Sequence, residues 1–143
     1  MSASKSRVYH RLQLTAHRVQ KSADRALLAT AKVNTAQAAV LAVLAAAGSI
    51  TQREVARQLG INESAMTSMV ARLQDMGLLR RDRDEADVRA WHLSLSETGR
   101  ATLKRIEQPF RRINQTIEGV LTTEEIGRLA DYLGRIANAF DEN

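Results

Sequence analysis

Between Gln52 and Gly77 the chain reads "QREVARQLGINESAMTSMVARLQDMG", two amphipathic helical stretches held apart only by Gly60, Ile61 and Asn62. No other stretch restricts the fold so tightly. A glycine turns the backbone without steric cost and an asparagine caps a new helix, so the first helix must stop and the second must start almost at once. The first has Val55, Ala56 and Leu59 inward, with Thr51 and Glu54 forming a capping-box pattern ahead of it. The second turns Met66, Met69, Val70 and Leu73 toward a core.

The outer face of that second helix is unusual. Ser64, Ser68, Ala71 and Asp75 lie opposite the core face, flanked by Thr67 and Arg72. Solvated helix faces usually carry long charged side chains. A helix entering a major groove needs the reverse, because bulky residues would hold its backbone away from the base edges. Ser, Thr and Ala permit close approach, and an arginine adds reach to guanine or phosphate. Small residues would equally suit packing against another helix, so this face alone leaves both uses open.

The segment after Gly77 favours nucleic acid. "LLRRDR" and "AWHLSL" flank the polar tip "DEADVR", and the second flank alternates Trp91, Leu93 and Leu95 against Ala90, His92 and Ser94. This is strand periodicity, so a two-stranded β-hairpin is expected, with Trp91 in the core and His92 on the polar face. Two helices, a tight turn and a hairpin make a winged helix-turn-helix pattern. At the tip, Arg80, Arg81, Arg83 and Arg89 alternate with Asp82, Asp84, Glu85 and Asp87. A tip arginine suits a minor groove, where the negative potential favours a guanidinium. A calcium loop is excluded at "DRDEAD", which lacks the required glycine and distal glutamate.

The remaining segments are helical. Residues 4 to 30 read as one long helix, with Val8, Leu12, Thr15, Val19, Ala23 and Ala26 near one face. Asn34 and Gln37 form a capping box before "TAQAAVLAVLAAAG", apolar nearly all round and so expected inside. Ser96 to about Val120 carries a stripe through Leu103, Ile106, Phe110, Ile113 and Ile117. Pro109 should kink this helix without ending it, because the stripe continues in phase. Thr122 and Glu125 cap a last helix bearing Ile126, Leu129, Leu133, Ile136 and Phe140. The expected fold is mainly α, one domain over 1–143 with the winged helix-turn-helix at 33–96. Residues 4–30 and 97–140 display more apolar stripe than so small a core can cover, which makes 1–32 and 97–143 the expected helices of a homodimer.

Composition narrows the function. With 44% hydrophobic but only 3% aromatic residues, the core is aliphatic and suits helix packing. Zero cysteines exclude disulfides, thiolate metal sites, cysteine nucleophiles and thiol-based sensing. No nucleophile elbow, phosphate loop or carboxylate pair frames the polar residues, so no enzyme and no cofactor is expected. His10 and His17 lack a third ligand, which leaves no metal site. The absence of a long apolar run leads to an expected cytoplasmic location, away from membranes. Net charge is +5, but residues 1–32 alone hold seven Lys/Arg against Asp24, while 33–96 hold seven of each sign. Basicity is therefore weak evidence for DNA binding. It leaves open a protein-interaction module without DNA, or a metal-responsive regulator, as alternatives.

The sequence resembles the MarR family of bacterial transcriptional regulators, most densely over Ile50 to Gly99. Arg72-Leu73, Gly77-Leu78-Leu79, Asp87-Val88-Arg89 and Leu95-Ser96-Glu97-Thr98-Gly99 stand in the family's order and spacing. The resemblance implies a homodimeric repressor on a pseudo-palindromic double-stranded DNA operator, with Arg89 in the minor groove and Asp87 bracing the tip or an arginine. On that reading Ser64, Ala65, Thr67, Ser68 and Arg72 meet the major groove, while Gln52 and Arg53 hold the backbone. It also implies release by a small aromatic or anionic effector, for which no residue of this sequence identifies the pocket.

Overall fold

The computed structural model describes residues 7–141. The expected helix start at residue 4, and with it Lys5, lies outside them. The order is α1 (Arg7–Ala31), α2 (Thr35–Ala47), β1 (Ile50–Thr51), α3 (Gln52–Leu59), α4 (Glu63–Asp75), β2 (Leu79–Arg83), β3 (Trp91–Leu95), α5 (Glu97–Glu118) and α6 (Thr123–Ala139). The chain falls into two compact units, one ending at Pro109 and the other beginning at Phe110. Among the described residues no single helix is long and apolar enough to cross a membrane.

In the first unit each boundary has a local cause. Lys32 takes φ 60, the left-handed turn that closes α1, and the Asp24 carboxylate accepts the Thr35 amide at 2.7 Å across the turn. Asn34 and Gln37 form the expected capping box, with reciprocal bonds of 2.8 and 3.0 Å. At Thr51 the expected box is only half made. Its hydroxyl accepts the Glu54 amide at 3.2 Å, but the Glu54 carboxylate is taken by Arg57 and Gln58 instead of reaching back. Those bonds, Arg57 first, hold the Glu54 carboxyl down at about 2. Gly60 is left-handed at φ 64, and Asn62 Oδ1 caps the next helix by accepting the Ala65 amide at 2.8 Å.

Leu27, Val33, Leu41, Leu44, Val55, Met66, Val70, Leu73 and Leu93 fill a core of aliphatic side chains, closed by Ile106 of α5. Helix α2 contributes Ala38, Val40, Leu41 and Leu44 to it, although several of its alanines face outward.

The wing is larger than expected. β2 and β3 pair antiparallel from Leu79↔Leu95 to Arg83↔Trp91, and β1 adds a third strand through Ile50↔Leu93 and Thr51↔His92. The sheet order is β1-β3-β2. Thr51 therefore belongs to the sheet and caps α3 at once.

In the second unit, α5 continues past Pro109 as far as Glu118. Thr122 and Glu125 make the expected capping box of α6, at 3.2 and 2.9 Å. No residue of α6 is buried, Tyr132 is widely exposed on it, and Phe140, which caps its C-terminal end, is more so.

Candidate nucleic-acid interface

Helix α4 has the expected two faces. Met66, Val70 and Leu73 are buried and Met69 is half-buried, while Ser64, Ala65, Thr67, Ser68, Ala71 and Arg72 are exposed. From Ser64 onward this face carries three hydroxyls and one cation, and none of its residues before Arg72 is bulkier than threonine. Arg72 lies in the last turn, where the helix dipole favours a positive charge. The Ala65 amide is already held by the Asn62 cap, so Ala65 offers only its methyl.

A directional chain ties α3 to α4. Gln52 Nε2 donates to Thr67 Oγ1 at 3.1 Å, and Thr67 Oγ1 donates to the Glu63 carbonyl at 2.9 Å. The threonine proton is thus committed, which requires the glutamine amide to present its nitrogen. Gln52 Oε1 is buried and accepts no hydrogen bond. Arg53 is exposed at the start of α3, with Nε 3.8 Å from Glu63 Oε1. At that separation between two solvated groups the attraction is weak. Gln52, Arg53, Thr67, Arg89 and Trp91 line one cleft of about 190 Å³ where the wing faces the two helices. Four residues selected from three separate sequence segments for DNA contact therefore border a single depression.

The wing tip is organised by its acids. Asp84 Oδ1 accepts the Ala86 amide at 2.8 Å, and Asp84 Oδ2 lies 2.8 Å from His92 Nε2. Because a carboxylate can only accept, His92 Nε2 carries a proton toward Asp84, and Nδ1 faces Ser49 Oγ at 3.4 Å. The His92 bond first, and then the Ala86 amide, hold the Asp84 carboxyl below its ordinary range. Asp87 Oδ1 accepts the Arg89 amide at 3.0 Å. Of the two roles expected for Asp87, this bond serves the tip backbone. The Arg89 side chain is exposed.

One reading of the wing needs correction. Trp91 is not a core residue. It is half-exposed, with the guanidinium carbons of Arg81 and Arg83 at 3.8 and 4.6 Å from its ring centroid. Alternation places it on the Leu93 side correctly, but at the far end of the strand the residues facing it are arginines. His92 lies on the polar face as expected, half-buried there with a polar partner at each ring nitrogen. Sequence reasoning counted Arg83 and Asp84 among the tip charges but gave neither a role. The signal for both was the hairpin register, which sets Arg83 opposite Trp91 and turns Asp84 toward His92.

Residues 32–90 match a family model described as MarR family. The HTH-type transcriptional repressor MdtR of Bacillus subtilis is 31% identical over 75% of this chain and 69% of its own length. A mutant MarR from E. coli, solved with operator DNA, is 25% identical with a TM-score of 0.77, covering 91% of this chain and 96% of that one. The PcaV transcriptional regulator of Streptomyces coelicolor, solved with its natural ligand, is 29% identical with a TM-score of 0.76, over 89% and 92%.

Proposed function

Since the chain belongs to the MarR family of non-enzymatic DNA-binding transcription regulators, we propose that it is a homodimeric repressor on a pseudo-palindromic operator, released by a small molecule. The observation that carries the reading is the face of α4, where every residue assigned to the major groove is exposed and every heavy apolar side chain but the half-buried Met69 is fully inside. Ser64, Ala65, Thr67 and Ser68 let the helix approach the base edges, and Arg72 reads guanine or phosphate. Arg89 enters the minor groove from a tip shaped by Asp87, while Gln52 and Arg53 hold the backbone.

The dimer is supported by apolar surface with no cover of its own. Val8, Tyr9 and Leu12 are exposed on α1, Leu129, Tyr132, Leu133 and Ile136 on α6, and Phe140 at its C-terminal end. Isolated exposed hydrophobics are ordinary, but runs at helical spacing on both terminal helices call for a partner surface. Residues 33–96 then form the DNA-binding module, and 1–32 with 97–143 the dimerisation helices. A twofold dimer reads two half-sites about one helical turn apart.

For the effector, the ligand-bound PcaV relative supplies the precedent, and the lack of cysteine removes thiol oxidation as a trigger. A small aromatic or anionic compound acts by binding the DNA-incompetent spacing of the two α4 helices better than the competent one. The usual range of such coupling is roughly 5–150-fold in operator affinity.

The test is selection of duplexes from a fully randomised library by the wild-type protein, followed by affinity measurements across a salt series. Enrichment of an inverted repeat whose binding weakens steeply with salt is expected, because phosphate contacts release counterions. No enriched sequence and no salt dependence would overturn the DNA-binding reading. Aromatic carboxylic acids that raise the melting temperature yet leave duplex affinity unchanged would overturn only the effector.

A further inference from the structure

The inner face of the wing carries a cluster to which direct DNA contact gives no task. The register sets Arg83 opposite Trp91 and Arg81 opposite Leu93, so both arginines rise on the Trp91 side of the hairpin. Arg81 sits closest to the ring, and its Nε is buried without a hydrogen-bond partner, so the indole face is its main contact. Arg83 makes a second contact beyond the ring. Its Nη1 donates to the Val88 carbonyl oxygen at 2.9 Å. That carbonyl belongs to the same peptide group as the Arg89 amide, which Asp87 Oδ1 accepts at 3.0 Å. The peptide that launches Arg89 is therefore gripped at both ends, by Arg83 at its oxygen and by Asp87 at its nitrogen.

We propose that Arg83, seated on Trp91, is a positioning residue that aims Arg89 into the minor groove. The proposal rests on the DNA-binding reading of the chain. An exposed hydrogen bond to a carbonyl ordinarily competes poorly with water, because it must also immobilise a long side chain. Here the indole has already fixed the guanidinium, so little further freedom is lost when Nη1 meets the Val88 oxygen. A planar guanidinium can lie on a ring and donate in its own plane together. A lysine ammonium, a point charge on a flexible stem, cannot do both. Asp87 was expected on this tip from the sequence, and Arg83 is its counterpart on the other end of one peptide plane.

The experiment is a double-mutant cycle on the duplex that wild-type protein selects from the randomised library. Arg83→Lys is expected to weaken binding roughly 5–30-fold, the change that about 1–2 kcal/mol produces. In an Arg89→Ala background the same substitution should change little, since the residue being aimed is gone. Trp91→Phe, which keeps an aromatic face, should retain most of the affinity, whereas Trp91→Leu should lose as much as Arg83→Lys. Melting temperatures within a degree or two of wild type confirm that the exposed Arg83 is not being read through misfolding. The proposal is overturned if Arg83→Lys binds like wild type, which is how a simple phosphate contact would behave. It is equally overturned if the losses from Arg83→Lys and Arg89→Ala add. Failure of the wild-type protein to bind any duplex would overturn the DNA-binding reading as well, and that result is read on the wild type alone.

Discussion

Gly99 lies so close to Leu78 that a Cβ built on it would stand 2.0 Å from the Leu78 carbonyl oxygen. Neither side can retreat. Ser96 donates its amide to the same Leu78 oxygen at 3.2 Å, its hydroxyl donates to the Gly77 carbonyl, and that hydroxyl also accepts the Gly99 amide at 3.0 Å. Two motifs noticed separately in the sequence, Gly77-Leu78-Leu79 and the run from Leu95 to Gly99, are thus parts of one stitch. It closes the strand that succeeds α4 onto the start of α5. Gly99→Ala should destabilise the protein by about 1–3 kcal/mol or more, the cost of forcing atoms into packed backbone. Urea denaturation checks this, and an unchanged midpoint would mean that the approach is softer than the geometry says.

Arg72→Ala should weaken binding to the selected duplex by about 1–3 kcal/mol and relax preference at one base position. Arg89→Ala should weaken it with a broader effect on the flanking pairs, because the minor groove mainly separates A·T from G·C. Repeating the library selection with each variant gives both readouts. If affinity and preference survive both substitutions, the assignment of the groove residues is wrong.

Leu133→Glu and Ile136→Glu place charges on the exposed apolar run of α6. If that run is the dimer surface, sedimentation should show these variants dissociating at concentrations where wild type does not. Operator affinity should fall with them, since each half-site would then be bound singly. A wild-type protein that is monomeric at every concentration would dispose of the dimer.

Asp84 gives the wing an acid limit. Its carboxyl is held below the ordinary range chiefly by His92, so its folded pKa lies beneath its unfolded one. The stabilisation this represents is fully present above the unfolded value and disappears as pH falls through the folded one. Wild type should therefore exceed Asp84→Asn in stability at neutral pH, and the gap should shrink as pH drops below about 4. Denaturation midpoints of the two proteins across that range test it. A gap that widens on acidification would contradict the sign.

How much of the molecule was legible in the sequence depends on how local each interaction is. The caps at Asn34, Asn62 and Thr122 were legible because donor and acceptor lie three residues apart. The hairpin was legible because period-two alternation and a polar tip are contiguous. The short strand β1 was not, because two residues show no period and its pairing partner is about forty residues away. Glu54 was expected to close a box with Thr51, but Arg57 competes for it from the next turn. Trp91 was placed on the right face and given the wrong neighbours. Alternation tells which side of a sheet a residue occupies, and only register tells what stands opposite. The residues proposed for DNA contact were chosen one by one from three segments, and nothing in their spacing announced that four of them would border one cleft.

Thr51 joins the sheet and caps α3 with the same backbone and side chain. The wing is therefore tied through β1 to the first turn of α3, so a displacement of β3 would pull on both. A reader built this way works like a two-pronged plug. In the proposed DNA-binding dimer, the angle between the prong for the wide groove and the prong for the narrow one would be set inside each copy, before any DNA arrives. Errors of spacing can then be absorbed only between copies and not within one, so a bound sequence should tolerate a changed gap at its centre far better than a changed distance between the core of a half-site and its own flank.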